Sequence, residues 1–162
     1  MLKSQPLLKV YVDADVLFRA ATASHQYTAA LVLLRLAEFT LLDLVSATYT
    51  VEEATRALKS HLPDQTSILL QLIARSIRVV DDPTQALLQV YKSQAHWKDV
   101  INLAAAVQAQ AHVLVTYNRR DYHPHLGVIR VMTPGELVAT SRAAIYHVIS
   151  GDQSQVAPMY PM

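Results

Sequence analysis

Residues 7–18, LLKVYVDADVLF, constrain this chain more than any other stretch. A run of apolar and β-branched residues ends abruptly in Asp13, and Asp15 follows two positions later. Such a run reads as a buried strand with an acid at its C-terminal tip. In open α/β sheets, the crevice beyond the strand C-termini is where ligands bind. A carboxylate there is costly to bury unless it is paired, hydrogen-bonded or on a metal. A plainer reading carries about equal weight at this point: Asp13 or Asp15 starts a turn, or caps a helix beginning near Val16.

The remaining chain alternates in the same style. Helical spacing is expected over residues 16–22 and 27–42, then a second strand at 44–47. Thr50 with Glu53 three residues on has capping-box spacing, opening a helix that stops before Pro63. A further helix starts at Asp64, and IRVV at 77–80 forms a third strand. Helices over 84–95 and 98–111 follow, with Val100, Ala104, Val107 and Ala111 on one stripe. Strands at 112–116 and 128–132 come next, and Pro134 sits at the favoured first turn of a last helix. Strands alternating with helices and no hairpin signals predict a three-layer α/β/α sandwich with a central parallel sheet of about five strands. Residues 1–150 read as a single domain and 151–162 as a flexible tail.

Composition narrows the class. The chain has 162 residues, enough for one domain with a real core, and only 3 Gly, which argues against an all-β fold. Without Cys there is no disulfide framework and no thiolate metal site, as expected of a cytoplasmic protein. No signal peptide or membrane span is expected. The net charge of +1 does not itself announce nucleic acid. The exposed surface becomes basic, however, if several acids are gathered into one pocket. Residues 27–42 are so apolar that the helix must be covered by its own domain or a second subunit, and a homodimer is expected.

Four acids occupy comparable places: Asp13 after strand one, Glu53 early in the helix after strand two, Asp99 before strand four and Asp121 after it. Each has an ordinary structural role when taken singly, as cap, helix-dipole partner or turn residue. Together, VYVDADVLFRA, TVEEATRAL and DVINLAAAVQAQAHVLVTYNRRDY resemble the PIN domain family, over roughly residues 10–142. That family comprises metal-dependent ribonucleases and includes the toxins of VapC-type toxin–antitoxin pairs. The resemblance implies Asp13, Glu53, Asp99 and Asp121 as catalytic acids, with Asp13, Asp99 and Asp121 on Mg²⁺ or Mn²⁺. Glu52 competes with Glu53, but Glu53 keeps the register Glu-x-x-Arg-x-Leu with Arg56 and Leu58.

The resemblance further implies that Thr116 and Asn118 orient a metal-bound water or an acid. Asp15 stands where such domains more often carry Asn. Lys98, Arg119 and Arg120 would hold the RNA backbone by charge, or else form a solvated face. His96, His123 and His125 lie nearby as weaker transition-metal candidates. The expected partners are RNA, an antitoxin protein and a second copy of the chain. A haloacid dehalogenase-like phosphatase is the enzymatic rival: Asp13-Ala14-Asp15 mimics its nucleophile motif, though Asp81-Asp82 precedes Val115-Thr116 in the wrong order. The other rival is a PIN-like module that binds RNA or protein without cutting.

Overall fold

The computed structural model describes residues 6–151. The expected tail therefore lies, apart from Gly151, outside the described residues. Among these residues five strands form one sheet: β1 (Lys9–Val12), β2 (Asp43–Ala47), β3 (Ile77–Val80), β4 (Val113–Val115) and β5 (Arg130–Met132). Their order is β3-β2-β1-β4-β5 and every pairing is parallel. Among the described residues, seven α-helices connect and cover them: α1 (Ala14–Thr22), α2 (Ala29–Glu38), α3 (Thr48–His61), α4 (Thr66–Ser76), α5 (Gln85–Tyr91), α6 (Val100–Gln108) and α7 (Pro134–Ser150).

Strand alternation divides the core in two. Val10 and Val12 of β1, with Leu44, Val113 and Val115, face the layer of α1–α4 and α7. Tyr11 points the other way and sits in register with Val45 and Leu114, against α6 and the partly buried Leu88 and Tyr91 of α5. A strand buried on both faces needs apolar residues at successive positions, which is why β1 reads as a continuous run rather than an alternation. In α6, Ala104, Ala105 and Ala106 are fully buried, and such small side chains let the helix lie close to the sheet.

Helix ends are where the expectations need correction. α1 begins at Ala14 rather than Val16, because Asp13 itself is its N-cap. The helix expected over 27–42 runs only from Ala29 to Glu38; Thr28 caps it, and a positive φ at Thr40 turns the chain into β2. Thr50 is not a cap: α3 already starts at Thr48. Its Tyr49 N–H instead donates to Asp82 Oδ1, 2.8 Å away on the loop after β3. The helix placed at Asp64 begins as a short 3₁₀ turn over Pro63–Gln65. α5 stops at Tyr91 because residues 94–96 leave the helix to pair with 121–123, and α6 ends at Gln108 before a positive φ at Gln110. The last helix is as expected, with a capping box between Thr133 and Glu136.

α2 is covered by its own domain. Leu33 and Leu34 are fully buried and Leu31 nearly so, each gaining roughly 2 kcal/mol from burial. A second subunit is therefore not needed to explain why this helix is apolar. No helix among the described residues is long and apolar enough to cross a membrane.

Candidate active site

Asp13 leaves β1 at the C-terminal edge of the sheet, its N–H bonded to the Val115 carbonyl 3.1 Å away. As the cap of α1, its Oδ1 accepts from the Ala14 N–H at 2.7 Å. Capping thus takes only one of the carboxylate's several lone pairs. The side chain is only 6% exposed. Oδ1 also accepts from Asn102 Nδ2 at 3.2 Å, and Oδ2 accepts from the Tyr122 hydroxyl at 2.7 Å.

Behind Asn102 the network continues. Its Oδ1 accepts from the Thr50 hydroxyl at 2.6 Å and the Tyr11 hydroxyl at 3.2 Å, and these two hydroxyls lie 2.7 Å apart. The Ala47 N–H donates to the Tyr11 oxygen. Tyr11, Thr50, Asn102 and Tyr122 are all buried, and the sequence pattern assigns none of them a role in the site. A faint signal was present: a Tyr in a doubly buried strand and an Asn in an apolar helix must both find partners.

The other acids arrive by different routes. Glu53 lies a little over one turn into α3 and faces an open groove of about 550 Å³, while Glu52 is exposed on another side. This favours the register with Glu53. Asp99 immediately precedes α6 without capping it, its Oδ2 3.9 Å from His96 Nδ1. Asp121 closes a 3₁₀ turn over Arg119–Asp121. The His96 N–H donates to the Asp121 carbonyl at 2.7 Å, and Ala95 bridges Tyr122. That short antiparallel pairing draws the Asp99 and Asp121 segments together.

Burial and neighbouring charge displace three of these acids, and the Asp121 charge acts on two of them. Burial foremost, and then the Asp121 charge, push Asp13 above the usual carboxylate range, against hydrogen bonds from Tyr122 and Ala14. Asp99 is pushed up to about 6 by burial and by the charges of Asp13, Asp121 and Glu53, with His96 opposing. Glu53 is raised by burial and Asp13, with Arg56 and Lys98 opposing. Among the described residues, no three His, Asp or Glu side chains are gathered closely enough to hold a metal as they lie. The donor chemistry nevertheless suits a hard cation: all four are carboxylates whose mutual repulsion a divalent charge would relieve.

The neighbouring residues divide. Asp15 Oδ2 accepts from the Thr116 hydroxyl at 3.2 Å and the Tyr117 N–H at 3.0 Å, while its Oδ1 is buried without a partner. Burial, then Asp13, push this carboxyl up to about 7. Thr116 Oγ1 also accepts from the Asn118 N–H at 3.0 Å, so Thr116 links Asp15 to the loop after β4. Lys98 lines the groove with Glu53, whereas Arg119 is tied to Glu136 on α7 and Arg120 is exposed. His123 and His125 have exposed side chains, and their N–H groups bond to Gln94. Asp82 caps α3 from the loop after β3, so the phosphatase reading loses its second acidic motif.

A parallel α/β domain with acids along the C-terminal edge of its sheet is the class this arrangement defines. Solved structures place it further. PAE2754 from Pyrobaculum aerophilum superposes with a TM-score of 0.58 at 19% identity, over 84% of this chain and 96% of that one. VapBC2 from Rickettsia felis, solved bound to a DNA fragment from its promoter, matches with a TM-score of 0.55 at 14% identity, over 77% and 98%. VapC20 of Mycobacterium tuberculosis, a sarcin-ricin loop cleaving toxin, superposes more loosely, with a TM-score of 0.46 at 12% identity over 65% and 86%. The chain has the PIN-domain fold. No family model and no curated protein sequence matches it.

Proposed function

We propose that this protein is a PIN-type endoribonuclease that hydrolyses phosphodiester bonds of single-stranded or structured RNA with Mg²⁺ or Mn²⁺. The observation that carries the reading is the placement of Asp13, Glu53, Asp99 and Asp121 near enough for their charges to act on one another: burial first, and then the charges of Asp13, Asp121 and Glu53, raise Asp99 to about 6. Asp13, Asp99 and Asp121 would hold the ion, which when bound activates a water and clamps the scissile phosphate. Glu53 stands on the groove side, where a strand would approach. Thr116 fixes Asp15 and the Asn118 loop, holding the pocket's rim in place. Lys98 and Arg120 supply charge for the RNA backbone, and Arg119 joins them only by releasing Glu136.

The experiment is cleavage of an end-labelled single-stranded RNA with Mg²⁺, with Mn²⁺ and with EDTA, for wild type and Asp99→Asn. Metal-dependent cleavage lost in the variant is the expected result. Cleavage that survives EDTA, or an equally active variant, overturns the proposal. A non-catalytic PIN-like module is the second reading, favoured by the three hydrogen bonds that already engage Asp13. An inert wild type would select it.

The fold shared with VapBC2 supports a toxin role with an antitoxin partner. A homodimer is supported by exposed apolar side chains flanking α2 (Tyr27, Phe39, Leu41) and along the end of α7 (Ile145, Tyr146, Val148, Ile149). Sedimentation of a monomer at micromolar concentration would refute it. A chain without cysteine fits work in the reducing cytoplasm.

A further inference from the structure

The groove beside Glu53 has a composition that the acids do not explain. Gln85, Gln89 and Lys92 fall along one stripe of α5 and its C-terminal end, and Trp97 and Lys98 line the same groove. Trp97 is 76% exposed, although a lone Trp on a soluble domain usually buries most of its ring. Lys98 Nζ lies 5.2 Å from the Trp97 ring centroid, and the His96 ring is tilted beside it at 5.8 Å. Glu53 lines the same groove, and Asp99 lies in the chain between the lining residues Lys98 and Val100.

We infer that this groove binds unpaired nucleotides of an RNA strand, with a base stacked on Trp97 and its phosphates met by Lys92 and Lys98. Every base offers a π-face, so an exposed indole next to cations is a sequence-tolerant platform for single strands. In a duplex those faces are already stacked and out of reach, so the groove discriminates by strandedness. Lys98 is flexible, and its ammonium can yield the ring to a base and turn to the attached phosphate. The two glutamines offer donors and acceptors to base edges. A strand held here runs past Glu53 towards Asp99, which places its backbone beside the acids. That placement rests on the nuclease reading; the binding itself does not.

Trp97 is the only tryptophan of the chain, so its emission reports on the groove alone. The test titrates the full-length protein with a short unpaired oligoribonucleotide, and separately with the same sequence as a duplex. Each titration is run in EDTA and again in Ca²⁺. The unpaired strand is expected to quench the emission, and the duplex to leave it nearly unchanged. In anisotropy with a labelled strand, Trp97→Ala should weaken binding on the order of 5- to 150-fold, and Trp97→Phe should recover most of that. Lys92→Ala should lower the slope of affinity against salt by about 0.7, a change that lost stacking alone does not produce. Emission unmoved in both buffers, equal quenching by duplex, or a Trp97→Ala variant that binds like wild type would each overturn the inference. Quenching in a protein that never cleaves RNA would remove the nuclease reading alone.

Discussion

The Tyr122 hydroxyl donates to Asp13 Oδ2 across 2.7 Å, with both residues buried. Burial and the Asp13 charge keep the phenol protonated well beyond its usual range, so it can act only as a donor to that carboxylate. The bond occupies the side of Asp13 that Asn102 and Ala14 leave free. Tyr122→Phe should therefore destabilise the metal-free protein by about 1–3 kcal/mol, since a buried carboxylate oxygen loses its partner. Millimolar Mg²⁺ should recover most of that loss, because the freed oxygen can take the ion. Melting curves in EDTA and in Mg²⁺ check this, and a Phe variant as stable as wild type in both would show that the bond holds nothing.

Asp13→Asn separates the two roles of that residue. Asn can still accept from Ala14 and Asn102 through its oxygen and turn its amide towards Tyr122, whose hydroxyl can accept. The fold should survive, and the metal-free melting temperature should equal or exceed that of wild type, because repulsion with Asp121 is relieved. RNA cleavage should fall by more than about 100-fold, and the metal-induced rise in melting temperature should vanish. A residue that served only as a helix cap would behave otherwise, since Asn caps about as well as Asp. Unchanged cleavage in this variant would remove the site.

The sheet and its order of elements were legible because β1 and β4 are buried on both faces, and such strands must be apolar throughout. Strand positions alone left each of the four acids an ordinary structural role, and only the resemblance to the PIN domain family joined Asp13, Glu53, Asp99 and Asp121 into one candidate site. What was not legible depends on contacts between distant segments. Thr50 has a capping signature, yet its hydroxyl is drawn inward by Tyr11 and Asn102, from residues 39 and 52 positions away. Asp82 looks like a turn residue and caps α3 from another loop. Residues 92–95 carry a helical pattern, but Ala95 finds its partner in Tyr122 instead. Local propensity loses in each case to a tertiary hydrogen bond that no window of sequence contains.

Asn102 is where that tertiary network can be broken most cleanly. It receives two hydroxyls on one side and donates to Asp13 on the other, at 1% exposure. Asn102→Ala should cost about 2–3 kcal/mol, because several buried polar groups lose partners together. Glu52→Ala, on the exposed side of α3, should stay within about 0.5 kcal/mol and serves as the control. Urea denaturation measures both, and an Asn102→Ala variant as stable as the control would show the network to be energetically idle.

The last prediction concerns pH. Asp15 and Asp99 are raised from 3.8 to about 7 and about 6. A carboxyl raised in the folded state binds its proton more tightly there than in the unfolded chain. Between the two values the native protein carries more protons, so stability falls as pH rises. The window runs from about 4 to about 7. Below it, Glu136 acts in the opposite sense: the Thr133 N–H foremost holds its pKa down, so its contribution is lost on acidification. The metal-free protein should therefore melt at a higher temperature near pH 5 than near pH 8. Asp15→Asn should flatten that difference while still accepting from Tyr117 and Thr116. Added Mg²⁺ should stabilise more at the alkaline end, because binding must displace the protons these acids hold. Melting temperatures across this range, in EDTA and in Mg²⁺, supply the test. A wild type more stable near pH 8 than near pH 5 in EDTA would mean that burial and neighbouring charge do not raise these acids in the folded protein.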